Sequence, residues 1–293
     1  MPLRSVVKKV LSVEQSEGHG ARVRRSIGRK ELRNVDPFLM LDEFKGDGKG
    51  GFPDHPHRGF ETVTYMLSGA MLHEDFCGHE GVIKGGDLQW MTAGRGVVHS
   101  EMPRGESNHG MQLWVNLPAK NKMVAPEYQE LLSKDIPSAE ESGTRVKVIA
   151  GESMGVQAKV RTITPVYYLD FKQDPSSEVI QTIPSGWNAF IYTLAGTVSV
   201  GSDDSRLTSD PHHTLVLSQG DEVQIKNVGD VESHFILIAG EPIGEKIVQH
   251  GPFVMNSSEE IQQAINDYRL CQNGFEKAKN WQSKEGTKLM YRT

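Results

Sequence analysis

The stretch His55-Pro56-His57-Arg58-Gly59-Phe60-Glu61 decides how the chain is read. It sets two imidazoles two residues apart, and side chains at i and i+2 of an extended strand point to the same face. A second stretch, Gly94-Arg95-Gly96-Val97-Val98-His99-Ser100-Glu101, sets a histidine and a carboxylate at the same spacing. Two neighbouring strands with these sequences can offer four ligands, His55, His57, His99 and Glu101, to one point. Three imidazoles and a carboxylate, with no thiolate, suit iron(II), manganese, nickel, copper or zinc and suit calcium poorly. Histidines scattered over surface and core are the plain alternative. Two i, i+2 pairs, each beside glycine-rich turn sequence, weigh against it.

At 293 residues the chain has room for about two domains of ordinary size. Its net charge of -6 argues against a protein that coats nucleic acid. The charge is uneven. Residues 1–33 carry nine Lys and Arg against three Glu, or +6, which leaves -12 for the rest. The basic run from Arg22 to Arg33 reads either as a solvated strand edge or as a contact patch for an acidic partner. Two distant cysteines, Cys77 and Cys271, make no disulfide framework, which suits a reducing compartment. The longest clear apolar run is Phe235 to Ala239, so neither a signal peptide nor a membrane span is expected.

Along the chain, residues 3–16 read as a first strand and Ala21 to Ile27 as a second, with Arg on its outer face. Asp36 to Phe44 holds a short apolar strand, and Lys45 to Gly51 is a glycine-rich loop. Thr62 to Leu67 ends at Ser68-Gly69, and Ala70 to Asp75 follows as another strand. Leu88 to Met91, Val97 to Glu101 and Met111 to Leu117 continue the pattern. Many short strands with Gly-rich turns indicate a β-sandwich or barrel. Residues 118–144 connect, with a helical turn expected around Tyr128 to Leu132. The domains are placed at 1–140 and 141–293.

The second half repeats the first weakly: Trp187 to Gly196 lines up with Phe60 to Gly69, and Gly220-Asp221 with Gly86-Asp87. Carrying the ligand positions across gives Thr182, Pro184, Ser233 and Phe235, none of them a metal ligand of this kind. His234 misses by one residue, which in a strand turns it to the opposite face. One metal is therefore expected, in the first module. Ser257-x-x-Glu260 reads as a capping box opening a helix, with Ile261, Ala264, Ile265 and Tyr268 as its apolar stripe packed on a barrel. The tail after Trp281 reads as frayed.

His-x-His-x3-Glu in the first motif and Gly-x2-His in the second resemble the cupin superfamily. The runs Asp36-Pro37-Phe38, Asp42-Glu43-Phe44, Gly51 to Val63, Asp87 to Gly96 and Gln249 to Asn256 resemble the pirin family more closely, over nearly the whole chain. The resemblance implies a mainly β bicupin, two cupin-type antiparallel β-barrel modules in tandem with a C-terminal α-helix. It implies one non-haem iron(II) per chain in the N-terminal module, held by His55, His57, His99 and Glu101. Many cupins draw their carboxylate from the first motif, here Glu61; pirins draw it from the second. Both glutamates are present, and the i, i+2 spacing favours Glu101. Glu61 is then expected to orient a ligand imidazole or to pair with Arg58.

Two functions follow from the resemblance. One is a dioxygenase that cleaves a flavonol, quercetin, with dioxygen. Glu101 takes the substrate proton there, and Trp90, Met91, Met111 and Trp114 are candidate walls of an apolar pocket. The other is a monomeric transcription co-regulator of nucleus and cytoplasm, acting with Rel (NF-κB) factors and an IκB-like coactivator through an iron redox switch. A cupin sugar isomerase or storage protein does not share the long runs.

Overall fold

The structure, a computed structural model, describes residues 2–290. Its first half is built on the strands β1 (Val6–Leu11), β2 (Val13–Glu17), β3 (Ala21–Ile27), β4 (Phe38–Gly46), β5 (Phe52–His57), β6 (Phe60–Asp75), β7 (Glu80–Lys84), β8 (Leu88–Thr92), β9 (Val97–Asn116) and β10 (Glu127–Leu131). One sheet runs β10-β8-β6-β9-β4-β3-β2, with β5 also on β9 and β7 also on β6. β6 and β9 are far longer than the short strands expected from sequence, at 16 and 20 residues. They pair antiparallel from Phe60 opposite Asn116 to Asp75 opposite His99. The turn expected at Ser68-Gly69 is instead a pair of bulges around Ser68, which bend the ribbon without breaking it. Gly69 has φ +75°, and a Cβ there would lie 2.2 Å from the Ser107 carbonyl oxygen. Only glycine fits that approach.

The helical turn expected at Tyr128 is the edge strand β10, in which Tyr128 pairs with Met91. A strand there gives the backbone of β8 a partner, which outweighs the local polar composition.

A second module has a seven-stranded sheet and a four-stranded sheet. The strands Val166–Gln173, Asn188–Ala195 and Ser233–Gly240 are central to the larger one. Its core includes Leu169, Phe171, Ile191, Phe235 and Leu237. Phe235 stands where the repeat places Glu101 in the first module, and its ring stacks on Phe171 with centroids 5.2 Å apart. His234 turns the other way and pairs with Asp170 at 2.6 Å.

The compact units are not consecutive halves. One takes the chain up to Val13, Ser26–Pro37 and Lys134–Pro242; the other takes Glu14–Arg25, Phe38–Ser133 and everything from Ile243 onward. In the middle of the chain the units meet between Ser133 and Lys134, against the sequence-based division at 140. The first strand expected at 3–16 breaks at Ser12, and β1 pairs with His213–Leu217 of the second module. The C-terminal helix, α1 (Ser258–Leu270), belongs to the first module. Its stripe, Ile261 and Ala264, packs with Val97, Val98, Phe253 and Phe275. The expected cap is present: the Ser257 hydroxyl accepts from the Glu260 N–H, and the Glu260 carboxylate accepts from the Asn256 N–H. The tail read as frayed carries a further helix, Lys284–Met290. The Glu74 carboxylate accepts the Lys284 and Glu285 N–H groups at its start, and Asp54 accepts that of Ser283. Among the described residues, no helix is long and apolar enough to cross a membrane.

Lys122 clasps the first module together. Its side chain is buried, and its ammonium donates to the carbonyls of Gly59 and Val254 and to Asn116 Oδ1, at 2.9, 3.1 and 2.8 Å. Burial holds its pKa down to about 8, with Glu245 and Glu260 opposing. Lys122→Met leaves these acceptors unpaired and is expected to cost about 1–3 kcal/mol near neutral pH, read by urea unfolding. An unfolded lysine titrates near 10.4. From about pH 8 to that value the unfolded chain keeps the proton and the folded one sheds it. Wild-type stability therefore rises with pH in that window, and its lead over Lys122→Met widens.

Candidate metal centre

The site is a product of register across three strands. On β9, His99 and Glu101 share a face. His55 of β5 lies opposite His99, and Phe52 opposite Glu101. On the other side of β9, Asp75 of β6 lies opposite His99 and His73 opposite Glu101. Directly opposed residues put their side chains on one face. Two rows result, His55–His99–Asp75 and Phe52–Glu101–His73.

His55, His57 and His99 each turn a nitrogen to one place, with the ligand atoms within 4.8 Å of one another. His55 Nδ1 bonds the Pro53 carbonyl at 2.8 Å, which sets its tautomer and leaves Nε2 with a lone pair. That Nε2 lies 2.9 Å from His99 Nε2. Burial lowers the pKa of all three imidazoles, those of His57 and His99 well below the usual range, so they stand neutral and able to donate electron pairs. Buried neutral nitrogens converging at this distance are what a divalent cation relieves, so the residues present fit a metal.

Glu101 is buried in the same strand but is not one of the three converging groups. Its oxygens accept from the Thr64 hydroxyl at 2.8 Å and the Gln112 amide at 3.1 Å. Burial pushes its carboxyl up, against those two bonds.

Glu61 stands elsewhere. It pairs with Thr92 and Val115 in register, whereas Thr62 pairs with Met91 and Trp114. Its carboxyl therefore lies on the opposite face of β6 from Trp114, whose ring is 5.3 Å from that of His57. The Thr92 hydroxyl donates to it at 2.7 Å. Burial raises it to about 7, with the Thr92 and Trp90 donors opposing. Neither role expected of it is seen: its bond is to Thr92, and Arg58 pairs with Asp267 instead.

The four expected wall residues divide by the same alternation. Trp114 and Met91 lie on the face of Thr62. Trp90 pairs with Val63 and Met111 with Tyr65, so these two lie on the other face. A cavity lies further along the sheet, and none of His55, His57, His99 and Glu101 lines it. At about 510 Å³, it is lined by Phe44, Phe52, Met71 and Pro103, with Arg22 and Asn108. Its volume is in the range of small-molecule sites, roughly 300–1,000 Å³. Pro103 follows Glu101 by two residues on β9, and Met71 is opposite Pro103. The cavity therefore begins within one row, about 7 Å along the strand, of Glu101.

Sequence reasoning also passed over Thr64, Gln112, Tyr128 and His73. His73-x-Asp75 has the same i, i+2 spacing as the recognised pairs, which was the available signal. The His73 ring is 5.6 Å from that of His99 and 4.9 Å from that of Tyr128.

With this geometry described, comparison with known proteins is direct. Residues 20–115 match the Pirin family, and residues 168–274 match the pirin C-terminal cupin domain. Human Pirin is 60% identical over 97% of this chain and 98% of its own length. The chain belongs to the pirin family. Its two-module, mainly β cupin fold is shared with solved structures. A quercetin 2,3-dioxygenase from Acinetobacter baumannii superposes with a TM-score of 0.84 at 33% identity, over 92% of this chain and 98% of that one. A bacterial pirin from Escherichia coli in complex with nickel(II) shares the fold at 17% identity and a TM-score of 0.65, over 80% of this chain and 98% of that one.

In this pirin-family chain, Arg58 ties the histidine strand to the C-terminal segment. Its buried guanidinium donates to the Arg95 carbonyl (2.6 Å), the Asn273 carbonyl (2.7 Å) and Asp267 Oδ2 (2.8 Å). It also lies 4.7 Å from the centre of the Phe275 ring. Burial pushes the Asp267 carboxyl up, and bonds from Arg58, Asn273, Gln263 and Gln272 outweigh it and hold it low. Arg58→Ala leaves Asp267 buried without its counter-charge. It is expected to cost about 3–5 kcal/mol in chemical denaturation, more than Asp267→Asn, which keeps acceptor and donor atoms in place.

Proposed function

We propose that this chain is a metal-dependent oxidoreductase of the quercetin 2,3-dioxygenase type. In this reading it carries one iron(II) per chain on His55, His57, His99 and Glu101. The observation that carries the reading is the convergence of three neutral imidazoles beside a buried carboxylate and a cavity of small-molecule size. The 33% identity to a quercetin 2,3-dioxygenase supports the choice of reaction. Manganese, nickel, copper and zinc suit the same donors.

The ion, when bound, supplies positive charge that favours ionisation of a substrate hydroxyl at an open coordination position. The chain does the rest. Glu101 has two oxygens. Were one to hold a bound ion, the other, oriented by Thr64 or Gln112, would be placed to take the flavonol hydroxyl proton. Trp114, against His57 and Phe60, walls the site and keeps water from it. Dioxygen is the second substrate, and the flavonol ring opens with loss of carbon monoxide.

The co-regulator alternative, with Rel-type partners and no physiological turnover, draws little from the basic run. Arg22 and Arg24 pair with Glu14, Arg25 with Glu17 and Asp42, and Arg29 with Glu31. Arg22, Arg24, Arg25 and Arg29 thus have counter-charges within the chain.

The test is metal content of protein purified without oxygen, then oxygen uptake with quercetin. About one ion per chain and uptake at the rate of flavonol loss are expected. His57→Ala should lose both. Glu101→Gln, reloaded with metal, should lose at least about 100-fold in kcat, as expected for removal of a general base. One ion per chain with no oxygen uptake would refute the dioxygenase reading while leaving the metal site standing.

A further inference from the structure

The row Phe52–Glu101–His73 holds a group that the proposed reaction has not used. His73 is 1% exposed, and neither of its ring nitrogens has a hydrogen-bond partner. It lies directly opposite Glu101 across the β6–β9 pair, on the same face. Its ring is tilted 54° to that of Tyr128, which shields one side, and meets that of His99 edge-on.

A buried polar atom left unpaired is costly, and His73 has two. Several buried groups near it are satisfied from within: Glu101 by Thr64 and Gln112, Gln89 by Glu130, and Asp75 by His79 and the backbone of Cys77. An imidazole with both nitrogens unpaired, beside a candidate metal centre and within about one row of a cavity, is placed for a ligand and not for the fold.

We propose that His73 is a substrate-contacting residue: its ring N–H donates to an oxygen of a hydroxylated aromatic ligand whose neighbouring oxygen is held at the metal centre. The inference deepens the functional reading above and rests on it for the metal. It adds the class of ligand and the residue that selects it, a planar aromatic with two oxygens on adjacent carbons. The geometry sets both requirements. One oxygen must reach the point where His55, His57 and His99 converge. The other must reach the row of Glu101 and His73 on the same face. The apolar cavity floor of Phe44, Phe52 and Met71 then takes the rest of the ring system. Aromatics with one oxygen, or with oxygens far apart, leave His73 unpaired, and a site built to hydrogen-bond an oxygen discriminates strongly against analogues that lack it.

The experiment uses the metal-loaded full chain and 4-nitrocatechol, whose absorption shifts on binding a metal and which needs no turnover. His73→Phe keeps an aromatic ring against Tyr128 but removes both nitrogens; His73→Gln restores an amide N–H. Both variants should retain about one ion per chain. His73→Phe should weaken 4-nitrocatechol about tenfold or more while leaving 4-nitrophenol binding unchanged. His73→Gln should recover most of the loss. With quercetin as substrate, KM should rise more than kcat falls. Unchanged 4-nitrocatechol binding in His73→Phe would overturn the proposal. So would loss of metal from both variants, which would make His73 a support of the centre. Wild-type protein that holds metal yet binds no 4-nitrocatechol would also refute it. Quercetin oxygen uptake, read separately, tells whether the dioxygenase reading fails with it.

Discussion

The antiparallel register of β9 with its two neighbours is the constraint on which the site depends. Because side chains alternate strictly along a strand, a slip of one residue between β5 and β9 would turn His55 away from His99. The same slip between β6 and β9 would remove His73 from Glu101. The bulges near Ser68 and the close approach at Gly69 therefore do more than bend a ribbon. They fix which residues of β6 meet which residues of β9 along the second half of the pair.

Around that register the first module places its charges in two different ways. Arg58 and Lys122 are buried cations whose donors are spent on carbonyls and one or two side chains, and they fasten the histidine strand to segments far along the chain. The imidazoles are instead buried in neutral form and converge without an anionic partner of their own. The former arrangement gives rigidity. The latter makes an electron-rich site that favours a cation, and the rigid surroundings hold its geometry before any ion arrives.

Much of this could be read from residues alone, and the reasons for the exceptions are physical. The i, i+2 spacing of His55 and His57, and of His99 and Glu101, survives any choice of strand partner, so the convergence of the three histidines was legible. So was α1, whose cap and stripe are local. His73 carries the same spacing with Asp75, but only the pairing of β6 with β9 tells that it faces Glu101. Glu61, Trp90 and Met111 were assigned to the site by type, and strand parity set them on the other face. The strand at Tyr128 and the helix after Ser283 follow from nonlocal partners, Met91 and Glu74, that no short window contains. The basic run from Arg22 to Arg33 read either as a solvated strand edge or as a contact patch, because the counter-charges of Arg22 and Arg25, Glu14, Glu17 and Asp42, lie on other strands.

The exchange of chain ends between the units has a consequence for how the molecule is made. The β1 strand cannot pair until His213–Leu217 have been made. The histidine strands are likewise made before Phe253, α1 and Phe275, which pack against Val97 and Val98. The module that holds the candidate site is thus closed only after the second module has all its strands, and a chain still in synthesis carries its histidines in an unfinished fold.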